Sequence, residues 1–281
     1  MSQPKKVSVA DIISMKSKDK ICVLTCYDYS TSLLCDRAGV DILLVGDSAG
    51  MVVLGYQNTM PVQMEEMVIF CGAVARGARR AMIVGDMPFG SYQTGPPFAV
   101  ENAIKLVRAG CDAVKLEGGV EVAATIEAIA NAGIPVMGHI GLKPQTASLW
   151  EGYRLQGKTS ATAERLMADA RALERAGAFC IVLEMVASET SELIGKTISV
   201  PTIGIGSGPL CDGQVLVLHD ILGLYENIRP KFVKRYAELS GTILEAVIRY
   251  TSDIKTGKFP DESHTFHMHP EEIAKLKKEL Q

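Results

Sequence analysis

Four acids stand where apolar runs give way to turns: Asp47 in LLVGDSAG, Asp86 in MIVGDMPFG, Glu117 in AVKLEGG and Glu184 in CIVLEMV. Carboxylates so placed can do two kinds of chemistry. A small set of hard oxygen ligands, completed by water and substrate, suits Mg²⁺. A carboxylate in apolar surroundings favours proton uptake and suits a general base. Asp47 and Asp86 close successive apolar runs and are the candidate cation ligands, with Glu117 one run further on completing or hydrogen-bonding their shell. Glu184, among Val182, Leu183, Met185 and Val186, is the candidate base. The competing reading of each acid is a helix cap or an ion pair, and it weakens when three acids occupy consecutive tips. Lys115 lies two residues before Glu117, so both face the same side of a strand. A lysine turned into a pocket needs an anion. That anion is a substrate carboxylate, an enolate oxygen or the acid of a neighbouring strand. His139 in VMGHIGL can hydrogen-bond a substrate carbonyl or the metal shell, or serve as a satisfied core histidine.

These residues are far apart in sequence, so the elements that carry them must converge. Apolar runs rich in Val, Ile and Leu predict strands near 21–25, 41–46, 81–85, 112–117, 134–138, 179–184, 200–205 and 214–218. Nearly continuous hydrophobicity is expected of parallel strands buried on both faces. Helical spacing falls near 30–38, 63–78, 98–109, 120–132, 160–176, 188–196 and 240–256. Ala-Gly at 38–39, 109–110 and 176–177 and Asn-Ala-Gly at 131–133 supply C-terminal stops before the next strand. The alternation predicts an α/β fold, a (β/α)8 TIM barrel whose strand tips share one mouth. Residues 8–17 read as a short helix able to plug the other end. The stretch VPTIGIGSGPLCDGQVLVLHD leaves no room for a helix between the last two strands. We expect one catalytic barrel over 1–256, including the N-terminal helix, and a polar tail over 257–281.

Residues 141–159, which hold the only Trp, form a long connection on the mouth side and suit a lid or substrate loop. The run GIGSG at 204–208 is a weak match to a barrel phosphate cradle; its glycines can equally serve close backbone approach. His264, His267 and His269 read as a surface cluster in the tail.

The chain has 281 residues, 47% of them hydrophobic, a net charge of −3 and a pI near 6.0. That balance argues against nucleic acid or an anionic membrane as partner. Seven cysteines, without CxxC or zinc spacing, fit a reduced cytosolic setting. The start MSQPKKVSVADI has no apolar signal region, and no apolar run approaches the ~18 residues of a membrane span. A cytoplasmic protein is expected.

Together the segments TCYDYS (25–30), LLVGDSAGMVVLGYQNT (43–59), DMPFGSY (86–92), VKLEGG (114–119), MGHIGLKPQ (137–145), LEMV (183–186), IGIGSG (203–208), DGQVLVLHD (212–220) and PKF (230–232) resemble the ketopantoate (3-methyl-2-oxobutanoate) hydroxymethyltransferase family. They cover nearly the whole chain in family order. The resemblance implies a barrel of the phosphoenolpyruvate-mutase and isocitrate-lyase kind. It implies Mg²⁺ held by Asp47 and Asp86, with Glu117 at the metal shell. It implies that Asp47, Ser48, Asp86 and Lys115 contact the oxo acid, that His139 supports the site, and that Glu184 is the catalytic base.

The activity implied is transfer of a one-carbon unit from 5,10-methylenetetrahydrofolate to 3-methyl-2-oxobutanoate through a Mg-stabilised enolate. The product is 2-dehydropantoate, in the first committed step of pantothenate and coenzyme A biosynthesis. A cytoplasmic homodecamer is the implied assembly. The nearest alternative is a Mg-dependent C–C lyase or mutase of the same superfamily. Such enzymes use a loop cysteine that the segment after strand four lacks here. A non-catalytic barrel would have no reason to keep all four acids.

Overall fold

A computed structural model describes residues 5–147, 152–227 and 230–280. Eight parallel strands close into a barrel in sequence order: β1 Ile21–Thr25, β2 Ile42–Val45, β3 Met82–Asp86, β4 Ala113–Glu117, β5 Val136–Gly141, β6 Ala178–Glu184, β7 Thr202–Ile205 and β8 Gly213–Leu216. The α-helices are α1 Val9–Ser14, α2 Tyr29–Arg37, α3 Ala49–Val52, α4 Met64–Gly77, α5 Pro96–Ala109, α6 Ala123–Asn131, α7 Pro144–Ala147, α8 Ser160–Arg175, α9 Ser188–Thr197, α10 Leu218–Ile221, α11 Leu239–Lys255 and α12 Pro270–Glu279. The (β/α)8 expectation is met.

Alternation along each strand divides the apolar residues between two layers. Val23, Ile42, Leu44, Met82, Val84, Met137, Val182, Ile203 and Val215 fill the barrel interior. Leu43, Val45, Ile83, Val114, Leu116, Ile181 and Leu183 face the helices. Helix α1 begins with a reciprocal capping box between Ser8 and Asp11 and buries Ile12 completely against the interior set. It plugs the floor of the barrel, so the interior opens only at the strand tips. The glycine stops behave as expected: Gly39, Gly110, Gly133 and Gly177 all have positive φ.

Several details differ from the sequence reading. The stretch 120–132 splits into a 3₁₀ turn, Val120–Val122, followed by α6. Strand β5 runs to Gly141, so His139 sits within it rather than at its end. A polar residue is tolerated there because carboxylates flank it on both sides. Short helices α3, α7 and α10 follow the tips of β2, β5 and β8, where too few residues are available to show a period.

Cys22 lies in an apolar run yet is exposed. The outer residues of β1 and β8, Cys22 and Gln214, are open to solvent. Helix α11 has no buried residue and exposes Ile243, Leu244, Val247, Ile248 and Tyr250. No helix separates β7 from β8 among the described residues, as expected. No helix among the described residues is long and apolar enough to cross a membrane.

Candidate active site

Strand register converts the sequence order of the acids into geometry. Asp86 on β3 is paired in register with Lys115 on β4, and Glu117 with His139 on β5. All four side chains point into the mouth. Lys115 Nζ donates to both oxygens of Asp86, each at 2.7 Å. His139 lies between two acids, with Nδ1 3.4 Å from Glu117 Oε1 and Nε2 3.3 Å from Glu184 Oε2. These are ion-pair distances; neither ring nitrogen makes a well-formed hydrogen bond. Asp47 lies in the turn after β2, and its backbone N–H donates to Asp86 Oδ2 at 3.3 Å. Ser48 follows, its hydroxyl 2.8 Å from that of Tyr27.

All the predicted site residues, Asp47, Ser48, Asp86, Lys115, Glu117, His139 and Glu184, line one cavity of about 450 Å³. Asp47, Asp86, Lys115, Glu117 and His139 are buried, whereas Glu184 is partly open, with 16% of its side chain exposed. The position of Glu184 is supported by a close backbone approach. Leu142 N donates to Glu184 O at 2.8 Å, and a Cβ on Gly141 (φ +97°) would collide with that carbonyl oxygen.

Burial and charge act together on these groups. Burial pushes Asp47 well above the usual carboxylate range, and the Asp86 and Glu117 charges add to this. Burial also raises Asp86, although Lys115 opposes it. Burial works against the Lys115 charge, but Asp86, Glu117 and Asp47 outweigh it and keep the ammonium protonated. Glu117 is held low: His139, Lys115 and the Gln145 backbone N–H overcome the cost of burial. Burial and Lys115 disfavour His139⁺, yet the Glu117 and Glu184 carboxylates prevail and raise it to about 9. The cavity is thus lined by five carboxylates, Asp47, Asp86, Glu117, Glu184 and Asp220, against three cationic side chains, Lys115, His139 and Lys231.

Sequence reasoning missed Gln145. This fully buried residue on α7 donates from Nε2 to Asp47 Oδ2 at 3.0 Å and to Met87 O at 2.9 Å. Its Oε1 accepts from Tyr92 Oη at 2.8 Å, and its backbone N–H donates to Glu117 Oε2 at 3.2 Å. One residue thus ties the tips of β2, β3 and β4 together, through its side chain to Asp47 and Met87 and its backbone N–H to Glu117. The available signal was a polar residue just past a strand tip, beside Pro144.

Other candidates add little to the site; of the GIGSG run, Ile205 lines the cavity. The GIGSG tip is used internally: Ser207 Oγ donates to Leu183 O at 2.7 Å and accepts from Val186 N at 3.0 Å, and Gly206 packs on Phe232. His264 and His267 are exposed and bound to Asp261 and Glu262. Of the long 141–159 connection, Pro144 and Tyr153 line the cavity, while Trp150 lies outside the described residues.

A floor-plugged parallel barrel with acids, a lysine and a histidine at its tips defines a barrel enzyme of acid–base and electrostatic chemistry. A family profile described as Ketopantoate hydroxymethyltransferase matches residues 6–262. The 3-methyl-2-oxobutanoate hydroxymethyltransferase of Nitrosopumilus maritimus is 54% identical over 274 residues, covering 97% of this chain and 98% of that protein. The protein of the same name from Cenarchaeum symbiosum is 58% identical over 254 residues, covering 90% and 96%. The chain belongs to the ketopantoate hydroxymethyltransferase family, and it is an enzyme.

Among solved structures, 2,3-dimethylmalate lyase, a PEP mutase/isocitrate lyase superfamily member, aligns with TM-score 0.56 at 15% identity, covering 99% of this chain and 98% of that one. A phosphonopyruvate hydrolase complex with oxalate and Mg²⁺ aligns with TM-score 0.56 at 12% identity, covering 97% and 95%. These likenesses concern the fold.

Proposed function

We propose that the chain transfers a one-carbon unit from 5,10-methylenetetrahydrofolate to 3-methyl-2-oxobutanoate, giving 2-dehydropantoate and tetrahydrofolate. The observation that carries the reading is the convergence of Asp47, Asp86, Lys115, Glu117, His139 and Glu184 on one cavity, in a chain of this family.

Asp47 and Asp86 would hold Mg²⁺, with Glu117 beside it. The donor set fits: these are hard oxygens, buried together, in a mouth with surplus negative charge that a divalent cation offsets. No closed cluster of three metal-ligating side chains exists among the described residues. Bound Mg²⁺ would supply Lewis-acid polarisation of the keto oxygen.

The remaining chemistry belongs to the chain. Asp47, Ser48, Asp86, Lys115 and His139 bind and orient the oxo acid, and the Lys115 ammonium attracts its developing negative charge. Glu184 takes the proton from C3. His139⁺, 3.3 Å from Glu184, steers that carboxylate and counters its charge. The C3 enolate then takes up the one-carbon unit, and one water supplies the hydroxyl oxygen as tetrahydrofolate leaves. Burial keeps competing water from the reacting carbon and strengthens each charge interaction.

The barrel to residue 256 forms the catalytic unit, with 257–281 as its tail. We read the assembly as a cytoplasmic homo-oligomer, in the family's decameric form. The exposed apolar side of α11 and the bare outer face of β1 and β8 support self-association.

Proton NMR of 3-methyl-2-oxobutanoate in D₂O tests the reading. Metal-dependent loss of the C3 proton signal, then ketopantoate on adding methylenetetrahydrofolate, is the expected result. Absence of both from folded, Mg²⁺-supplied protein would overturn it.

A further inference from the structure

The cavity is larger than the oxo acid needs, and its two halves differ in chemistry. A volume of about 450 Å³ lies within the ~300–1,000 Å³ that encloses a drug-sized ligand. The inner half is the charged cluster already described. The outer half is bounded by Met51 and Val52 on α3, Tyr153 after β5, Tyr225, Phe232 and, on α10, Asp220. Apolar and aromatic groups predominate there, with one acid among them. The Phe232 ring is seated by Gly206, where a Cβ would come within 2.8 Å of it. The Asp220 carboxylate has no hydrogen-bond partner among the described residues, although burial makes its charge costly. An acid kept half-buried at the edge of an apolar slot, with no hydrogen bond and only the Arg235 charge to support it, is set for a ligand with N–H donors.

We propose that this outer half is the docking site for the bicyclic ring of the folate donor, with Asp220 reading its aminopyrimidinone edge. The ring presents adjacent N3–H and 2-amino donors, which one carboxylate accepts together in a two-pronged, charge-assisted pair. Its flat faces suit the walls formed by Tyr225, Phe232 and Met51. The one-carbon unit at the opposite end of the bicycle then faces the inner half, where Glu184 exposes C3 of the oxo acid. Lys231, exposed on the rim with no ion-pair partner among the described residues, lies on the path of the glutamyl carboxylates. This assignment rests on the proposed transferase reading.

Steady-state kinetics and NMR on the full chain, wild type beside Asp220→Asn, test it. Asn keeps the size of Asp but turns a donor toward a donor. The KM for methylenetetrahydrofolate should rise roughly 10- to 100-fold, while Mg²⁺-dependent C3 proton exchange of the oxo acid alone persists. An unchanged folate KM with intact exchange overturns the assignment and leaves the transferase reading standing. A wild-type chain that exchanges C3 but never uses folate removes the parent reading instead. If Asp220→Asn does not fold, wild-type protein is titrated with tetrahydrofolate and its analogue lacking the 2-amino group. Weaker binding of the analogue supports Asp220; equal binding overturns it.

Discussion

Lys115 Nζ stands 2.7 Å from each carboxylate oxygen of Asp86, and both residues are buried. Register puts them side by side on β3 and β4. The pair lets Asp86 remain inside the barrel, and it holds a cation next to the acid assigned to Mg²⁺.

Replacing Lys115 with Met leaves Asp86 buried without its partner. Unfolding of the metal-free protein should become easier by about 3–5 kcal/mol, and turnover should fall roughly 10²–10³-fold. Calorimetry with and without Mg²⁺ checks this: the variant should regain more stability from the metal than wild type does. A melting temperature equal to wild type would mean that the pair carries no structural burden.

Removing divalent cations with EDTA should lower the melting temperature, and adding back Mg²⁺ should restore it. At 100 times its Kd, a ligand specific to the folded state stabilises by about 2.7 kcal/mol. Asp47→Asn and Asp86→Asn should each lose most of that gain. If both variants respond to Mg²⁺ as wild type does, the ligand assignment fails.

Glu184→Gln should bind Mg²⁺ and the oxo acid but stop exchanging the C3 proton, with turnover reduced roughly 10²–10⁴-fold. Deuterium exchange followed by NMR gives the answer directly. Normal exchange in the variant would assign the base elsewhere.

Gln145→Leu deprives Asp47 Oδ2 and Tyr92 Oη of a partner while keeping the volume similar. The expected cost is about 1–3 kcal/mol of stability and a weaker Mg²⁺ affinity, because Asp47 loses the amide that orients it. Calorimetry together with Mg²⁺ titration separates the two effects. Unaltered metal affinity would leave Gln145 a purely structural tie.

Asp212 predicts a pH effect away from the site. It accepts from Ser17 N at 2.9 Å and Thr202 N at 2.8 Å, and pairs with Lys16 at 3.2 Å. Burial alone would raise its pKa, but these donors outweigh burial and lower it. A carboxylate depressed by folding contributes its stability above its unfolded pKa of ~3.9 and loses it as pH falls through the lower folded value. Asp212→Asn should therefore melt below wild type at pH 7, with the gap closing as the solution is acidified below pH ~4. A gap that stays constant with pH would mean that the loss is one of shape rather than charge.

Much of this architecture was legible in the chain. Val, Ile and Leu runs gave the strands, the Ala-Gly stops gave the helix ends, and a spacing of two put Lys115 and Glu117 on one side. Acids at run ends were recognisable because a parallel barrel sends every strand's C-terminus to one mouth. The fifth strand was expected to stop near 138, which put His139 at its end. The carboxylates that make a strand-interior position acceptable lie on other strands and cannot be seen locally. Gln145 was overlooked for the same reason: its partners Asp47, Met87 and Tyr92 are distant in sequence.

The sequence by itself determined the strands, the inward side of Lys115 and Glu117 and the chemistry the acids could offer, because those properties follow from side-chain type and local period. Only the tertiary structure decided the pairings. Closure of the sheet fixes the stagger between neighbouring strands, and that stagger sets Lys115 against Asp86 and His139 between Glu117 and Glu184. Packing of the loops then brings Asp220 and Phe232 over the same mouth. Each of these is a long-range contact, and no short-range pattern encodes its geometry.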